Sequence, residues 1–188
     1  MRRLSACSPT SPVRRRWRKW RPRSVGRAPR DFANREAFDD ALAEAVAASQ
    51  PDWIICAGYM RILGAAFVQR FSGRLINIHP SLLPLHKGLH THARAIEAGH
   101  AEHGASVHFV VPELDAGAVI AQARVPVLPA DTAESLAQRV LAVEHPLLLA
   151  SVQLLVANHL AERDGVVLFD GQSLFSPLRL DSAGTLRR

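Results

Sequence analysis

Apolar positions along the chain change period several times, and each change marks a new element. From Arg35 to Ala48 the residues Phe38, Leu42, Ala45 and Ala48 recur at helical spacing and Pro51 lies just beyond, which predicts an amphipathic helix. Trp53 to Ala57 is a short unbroken apolar run, the pattern of a strand covered on both sides. Gly64 to Phe71 predicts a short helix, Leu75 to Ile78 a second strand, and His92 to Ala98 a helix that Gly99 closes. Ala105 to Val111 and Val119 to Val127 predict longer strands. Asp131 with Glu134 predicts a capping box that opens a long helix through Ala142 toward His159. Strands alternating with helices predict an α/β fold built on a mostly parallel, layered sheet.

Charge divides the chain in two. Residues 1–30 hold eleven Arg and Lys and no acid, so this head carries +11 and residues 31–188 carry −5, together giving the stated +6. The sequence pI of about 10.5 therefore describes the head and not the body. A nucleic-acid surface would fold its basic residues into the domain with aromatic or polar readers among them, whereas this charge is confined to a Pro-rich terminal run, so nucleic acid is not an expected partner. The composition of the head suits a transit peptide, but Pro9, Pro12, Pro22 and Pro29 oppose the required amphipathic helix. It lacks the apolar core of a secretory signal. A disordered basic arm is a third reading. The reading adopted is that 1–30 is a basic, disordered extension translated from a wrong start or frame, and that 31–188 is the functional domain.

Two cysteines, Cys7 and Cys56, are too few for a disulfide framework, and a reducing, cytoplasmic location is the default. No run of consecutive apolar residues is long enough to span a bilayer, so no membrane is expected. No internal repeat is visible, which excludes a solenoid or propeller.

The chemistry concentrates in Leu75-Ile76-Asn77-Ile78-His79-Pro80-Ser81-Leu82-Leu83-Pro84 and in Glu113-Leu114-Asp115-Ala116-Gly117. Asn77 and His79 are two apart, so on a strand their side chains leave the same face. A carboxylate is the natural third partner, because it fixes the tautomer of a histidine, and Asp115 before its glycine is the leading candidate. Seven of the nine histidines lie between His79 and His108, which raises the question of zinc. Neither a Cys cluster nor a His-Glu-x-x-His helix accompanies them, and no metal is expected.

The ordered series NIHPSLLP, GLHTHARA (Gly88 to Ala95), HGASVHFV (His103 to Val110) and ELDAGAVIAQ (Glu113 to Gln122) resembles the folate-dependent formyltransferases, and within them the branch that acts on glycinamide ribonucleotide. The resemblance runs without a gap from about Asp31 to about Gln172. It implies a Rossmann-like formyltransferase fold and transfer of a formyl group from 10-formyltetrahydrofolate, the co-substrate, to the amine of glycinamide ribonucleotide in purine synthesis. Such a transfer passes through a tetrahedral oxyanion, and Asn77 and a protonated His79 would donate to it while Asp115 acts as the electrostatic partner of His79. By the same resemblance Met60, Arg61, Ile62 and Leu63 contact the folate through their backbone, Arg35 and Asn77 lie at the folate site, and Glu144 meets the ribose hydroxyls of the acceptor. His108 orients the aspartate, His90 and His92 support the loop, and His86, His100 and His103 are read as surface residues.

One departure stands out. The family opens with a strand and a glycine-rich turn into a helix that holds the substrate phosphate, and residues 1–30 contain neither, so the fold is expected to lack its N-terminal strands and phosphate loop. Rival readings are an inactive folate-binding remnant, a formyltransferase acting on a tRNA or an amino-sugar, and a formyltetrahydrofolate hydrolase. The loop Leu85-His86-Lys87-Gly88-Leu89-His90-Thr91-His92 favours the glycinamide branch, because the tRNA and sugar enzymes usually carry an Arg-Gly and a Pro there.

Overall fold

The structure, a computed structural model, describes residues 29–188. Residues 1–28 of the basic head, with Cys7 and the disorder expected there, lie outside these residues. A 3-10 turn at Pro29–Asp31 leads into helix α1 (Arg35–Ala47), strand β1 (Ile54–Cys56), helix α2 (Ala65–Arg70), strand β2 (Leu75–His79) and helix α3 (Thr91–Glu97). The long hairpin of β3 (Glu102–Phe109) and β4 (Val119–Pro126) follows, then helix α4 (Ala133–Val156). The C-terminal strands are β5 (Leu160–Arg163), β6 (Val166–Phe169), β7 (Gln172–Ser173), β8 (Leu178–Leu180) and β9 (Leu186–Arg187).

The central sheet has the order β1-β2-β3-β4-β8-β9, and β5-β6-β7 form a small second sheet. The parallel pairing expected from strand–helix alternation is found between β1 and β2 and between β4 and β8. The pairs β2–β3, β3–β4 and β8–β9 are antiparallel. The layers are those of an α/β fold. β1 is half-buried, and its faces meet both layers: Ile55 packs on the α4 side of the sheet and Ile54 and Cys56 on the α1–α2 side, at the edge of the described sheet.

Two cores lie on the two faces of the sheet, and β2 divides its side chains between them. Leu75 packs with Phe38, Leu42, Val46, Phe67, Val68 and Phe71 of the α1–α2 layer. Ile76 packs with Val107, Phe109, Ile120, Leu136, Val140, Leu147 and Leu155 beneath α4. Because side chains alternate along a strand, Asn77 and His79 share the face of Leu75, and Ile78 returns to the α4 side.

Helix α1 is capped by Asn34, whose Oδ1 accepts from the Ala37 amide at 2.8 Å. The expected box at the start of α4 is corrected: Thr132 is the N-cap and exchanges hydrogen bonds with Ser135, whereas Glu134 takes no part in the cap. Asp131 is committed elsewhere, accepting from Leu128 N at 2.7 Å and from both terminal nitrogens of Arg139 at 2.7 and 2.8 Å. Helix α4 continues through Pro146, which removes one backbone donor; burial of Leu147, Val152 and Leu155 beyond it outweighs a cost of about 3 kcal/mol. By length and composition alone α4 could cross a membrane, but its residues Leu136, Val140, Leu147 and Leu155 form part of the sheet core.

Replacing Ile76, which is fully buried, with Ala should destabilise the fold by about 2–5 kcal/mol, because both the transfer term and a cavity term are lost. Urea unfolding checks this, and an unchanged midpoint would contradict the placement of Ile76 in the core.

Candidate active site

Three segments converge at the carboxyl end of β2. Pairing of β2 with β3 sets Asn77 opposite His108 and His79 opposite Ser106, and pairing of β1 with β2 sets Asn77 beside Cys56, where the Tyr59–Leu63 loop departs. The third segment, residues 111–118, links β3 to β4 and carries Asp115. Gly117 is required there by close approach: a Cβ at this position would lie 1.9 Å from the Phe109 carbonyl oxygen. Asp115 itself adopts φ 47°, a left-handed conformation costly for a non-glycine residue and held by the contacts of its carboxylate.

Those contacts join the expected triad. Asp115 Oδ2 accepts from the Gly88 amide at 2.9 Å and lies 3.4 Å from His79 Nδ1. His79 Nε2 lies 3.0 Å from the His86 carbonyl oxygen, which can only accept, so this nitrogen carries a proton. Both ring nitrogens of His79 thus face acceptors, an arrangement that a doubly protonated ring satisfies completely. His79 and Asp115 are almost fully buried.

His108, expected to orient the aspartate, forms its side-chain hydrogen bond with Asn77 and lies near Asp115 without bonding to it. Its Nδ1 donates to the Phe109 carbonyl at 2.8 Å, and burial lowers its pKa despite the opposing pull of that carbonyl and of Asp115, so it stays neutral. Nε2 is then a lone pair and accepts from Asn77 Nδ2 at 3.2 Å, which fixes the Asn77 amide with its nitrogen toward the site. Asp115 Oδ1 is 3.7 Å from the same His108 nitrogen, beyond hydrogen-bond distance.

Among the residues expected at a folate site, Arg35 reaches from α1 to donate to the Ile62 carbonyl and lies 3.7 Å from Asp39 Oδ2. Asp39 in turn accepts from the Gly64 amide at 3.0 Å, so α1 anchors both ends of the 62–64 segment. Met60 is 78% exposed and Ile62 56%, which leaves their side chains free and makes a purely core role untenable for these two. Leu63 packs against the α1–α2 core. The Arg61 guanidinium stacks 4.9 Å over the Phe38 ring. Glu144 on α4 has its pKa raised by burial, with His145 and His79 pulling it back, which brings this carboxylate within electrostatic range of the triad.

The histidines depart from expectation. His103 is buried, not on the surface: it faces inward on β3, where its Nε2 lies 3.1 Å from His92 Nδ1. His86 and His100 are half-buried, with ring centroids 5.0 Å apart, and His86 is 6.2 Å from His103. His92 on α3 meets His103 of β3 through the Nδ1–Nε2 contact. His90 is exposed and caps α3 in a left-handed conformation at φ 58°. Among the described residues no group of three or more His, Cys, Asp or Glu is arranged to hold a metal ion. Sequence reasoning passed over Ser106 and Gln122, although a polar residue inside each apolar strand was the available signal.

With the site in place, comparison with known proteins supplies its class. A formyl transferase family model matches residues 7–152, beginning inside the basic head, and the chain belongs to that family. It is 46% identical over 143 residues to phosphoribosylglycinamide formyltransferase of Escherichia coli, covering 76% of this chain and 68% of that protein. The enzyme of the same name from Haemophilus influenzae is 41% identical over 145 residues, 77% of this chain and 68% of its own length. Among solved structures, phosphoribosylglycinamide formyltransferase from Coxiella burnetii superposes with a TM-score of 0.74 at 45% identity, covering 78% of this chain and 69% of the other.

Burial lowers the pKa of His103 from the ordinary 6.5 to about 4, aided by the neighbouring imidazoles of His92, His86 and His100, and it lowers those of His86, His92 and His108. The unfolded chain binds protons that these folded histidines refuse, so stability should fall as pH drops from about 6.5 toward 4. Thermal unfolding across that window, with His103→Gln flattening the slope, checks this. A midpoint that rises on acidification would contradict it.

Proposed function

We propose that this chain transfers the formyl group of 10-formyltetrahydrofolate to the primary amine of glycinamide ribonucleotide, a step of purine synthesis. The observation that carries the reading is the junction of Asn77, His79 and Asp115, with Asp115 Oδ2 3.4 Å from His79 Nδ1, in a member of the formyl transferase family. We place the catalytic domain in residues 31–188, which hold every residue of the mechanism, and the chain in the cytoplasm, where Cys56 stays a free thiol.

The proposed chemistry follows from the groups present. When the amine attacks the formyl carbon, charge develops on the formyl oxygen; the remaining Asn77 Nδ2 hydrogen is open to it, and His79 becomes a second donor when the substrate oxygen takes the Nε2–H that the His86 carbonyl accepts in the empty site. The amine must lose a proton and the departing folate nitrogen must gain one. His79 supplies the latter, and Asp115, directly or through water, balances the charge on the ring and accepts the former. Asn77 is held in register by neutral His108, so its donor needs no reorganisation as the oxyanion forms. For the folate we assign Arg35, the backbone of Met60 to Leu63 and Asn77, and for the ribose of the acceptor Glu144. His90 and His92 support the loop, and no step requires a metal.

His79→Ala should lower formyl transfer about 10²–10³-fold, with folate affinity changed far less, because its contacts strengthen as charge develops. Single-turnover transfer measured beside equilibrium binding of a folate analogue tests this. Equal losses in both would make His79 a ground-state binding residue. Release of formate with no formylated product, in the presence of both substrates, would favour a hydrolase and overturn the proposal.

A further inference from the structure

Behind the triad a row of polar residues crosses three strands in register: His79 on β2 pairs with Ser106 on β3, and Ser106 pairs with Gln122 on β4. Ser106 is fully buried and Gln122 is 7% exposed. Buried polar groups in the middle of a sheet must be hydrogen-bonded, and the partners of these two lie in one place, the turn that follows His79.

The hydrogen bonds account for almost every donor and acceptor. Ser106 Oγ donates to the Ser81 carbonyl at 2.7 Å and accepts from the Leu83 amide at 3.0 Å and from Gln122 Nε2 at 3.0 Å, which uses its one proton and two lone pairs. Gln122 Nε2 also donates to the Leu83 carbonyl at 2.9 Å, which uses both amide hydrogens and fixes which way the amide faces. Two further ties act on the same turn: Ser81 Oγ donates to the Leu85 carbonyl at 2.7 Å and Thr91 Oγ1 to the Pro80 carbonyl at 2.6 Å. The turn ends at His86, whose backbone is left-handed at φ 51° and whose carbonyl receives the Nε2 proton of His79.

We propose that Gln122 is a positioning residue for the formyl-transfer reaction: through Ser106 and the backbone of Leu83 it sets the 80–86 turn, and so places the carbonyl that holds His79 in its protonated orientation. Gln122 does not reach the triad itself. Its influence travels through backbone, because a turn held at Ser81, Leu83 and Leu85 has little freedom left at His86. The proposal rests on the functional reading above, but its first test does not. The protonation pattern of the His79 ring is a property of the folded chain with no substrate present.

The experiment compares wild type with Gln122→Met, which keeps the volume and removes both donors. The nitrogen NMR shift of His79 Nε2 should move from that of an N–H held on a carbonyl toward that of a nitrogen that has partly lost its proton. In parallel, kcat should fall on the order of 10- to 100-fold while KM for the folate stays within about twofold, as expected when supporting contacts loosen a catalytic group. Ser106→Ala should produce the same ring shifts, and the double variant should lose no more than the larger single loss, since the two act as one unit. Should Gln122→Met fail to fold, Ser106→Ala alone carries the test through the same ring shifts. Unchanged His79 shifts in the folded variant would overturn the proposal, as would multiplying losses in the double variant or equal losses in kcat and folate affinity. If wild type shows the protonated ring and no formyl transfer, the functional reading fails while the ring shifts still decide the role of Gln122.

Discussion

The antiparallel pairing of β2 with β3 is the constraint on which the site depends. A slip of one residue would turn Asn77 and His79 to the opposite face of the sheet and bring Leu75 out of its core, so the two apolar layers police the register of the polar one. Leu75 belongs to the α1–α2 core and Ile76 to the α4 core, and this division aims the next alternate pair, Asn77 and His79, at the end of the strand where the loops gather. The same register delivers His108 to Asn77 and Ser106 to His79.

Electrostatic roles then separate by environment. His108 and His79 are close neighbours of one carboxylate, but His108 has a carbonyl on one nitrogen and an amide donor on the other, and burial keeps it neutral. His79 has acceptors on both sides. Two imidazoles of one site are thus given different hydrogen-bond partners, His108 a donor and an acceptor and His79 two acceptors. The cost is local backbone strain at His86, His90 and Asp115, all left-handed, which the surrounding hydrogen bonds hold in place.

Much of this architecture was legible in the residues. The elements from α1 to β4 fall within a few residues of the reading from periodicity, and Gly99 closes α3 with φ 65° as its position implied. The segment after α4 was not read, although Asp164-Gly165 and Asp170-Gly171 carry the left-handed pairs that two-residue hairpin turns favour and join β5 to β6 and β6 to β7. Short strands with half-exposed faces leave little apolar signal. The triad was legible because chemistry selects unusual residue types, Asn, His and Asp, in sparse positions. The brace beneath it was not, because Ser106 and Gln122 acquire meaning only when three strands align. His103 was misread for a related reason: a histidine beside Glu102 looks solvated until strand alternation turns it inward against His92.

The central claim is that Asn77, His79 and Asp115 meet the reacting atoms together. A crystal structure with a folate analogue that carries a tetrahedral diol in place of the formyl group tests it most directly. The account predicts one diol oxygen within hydrogen-bond distance of Asn77 Nδ2 and His79, with the Asp115 carboxylate on the same side. A diol lodged away from all three, with Asp115 still held to Gly88 and His79, would contradict it.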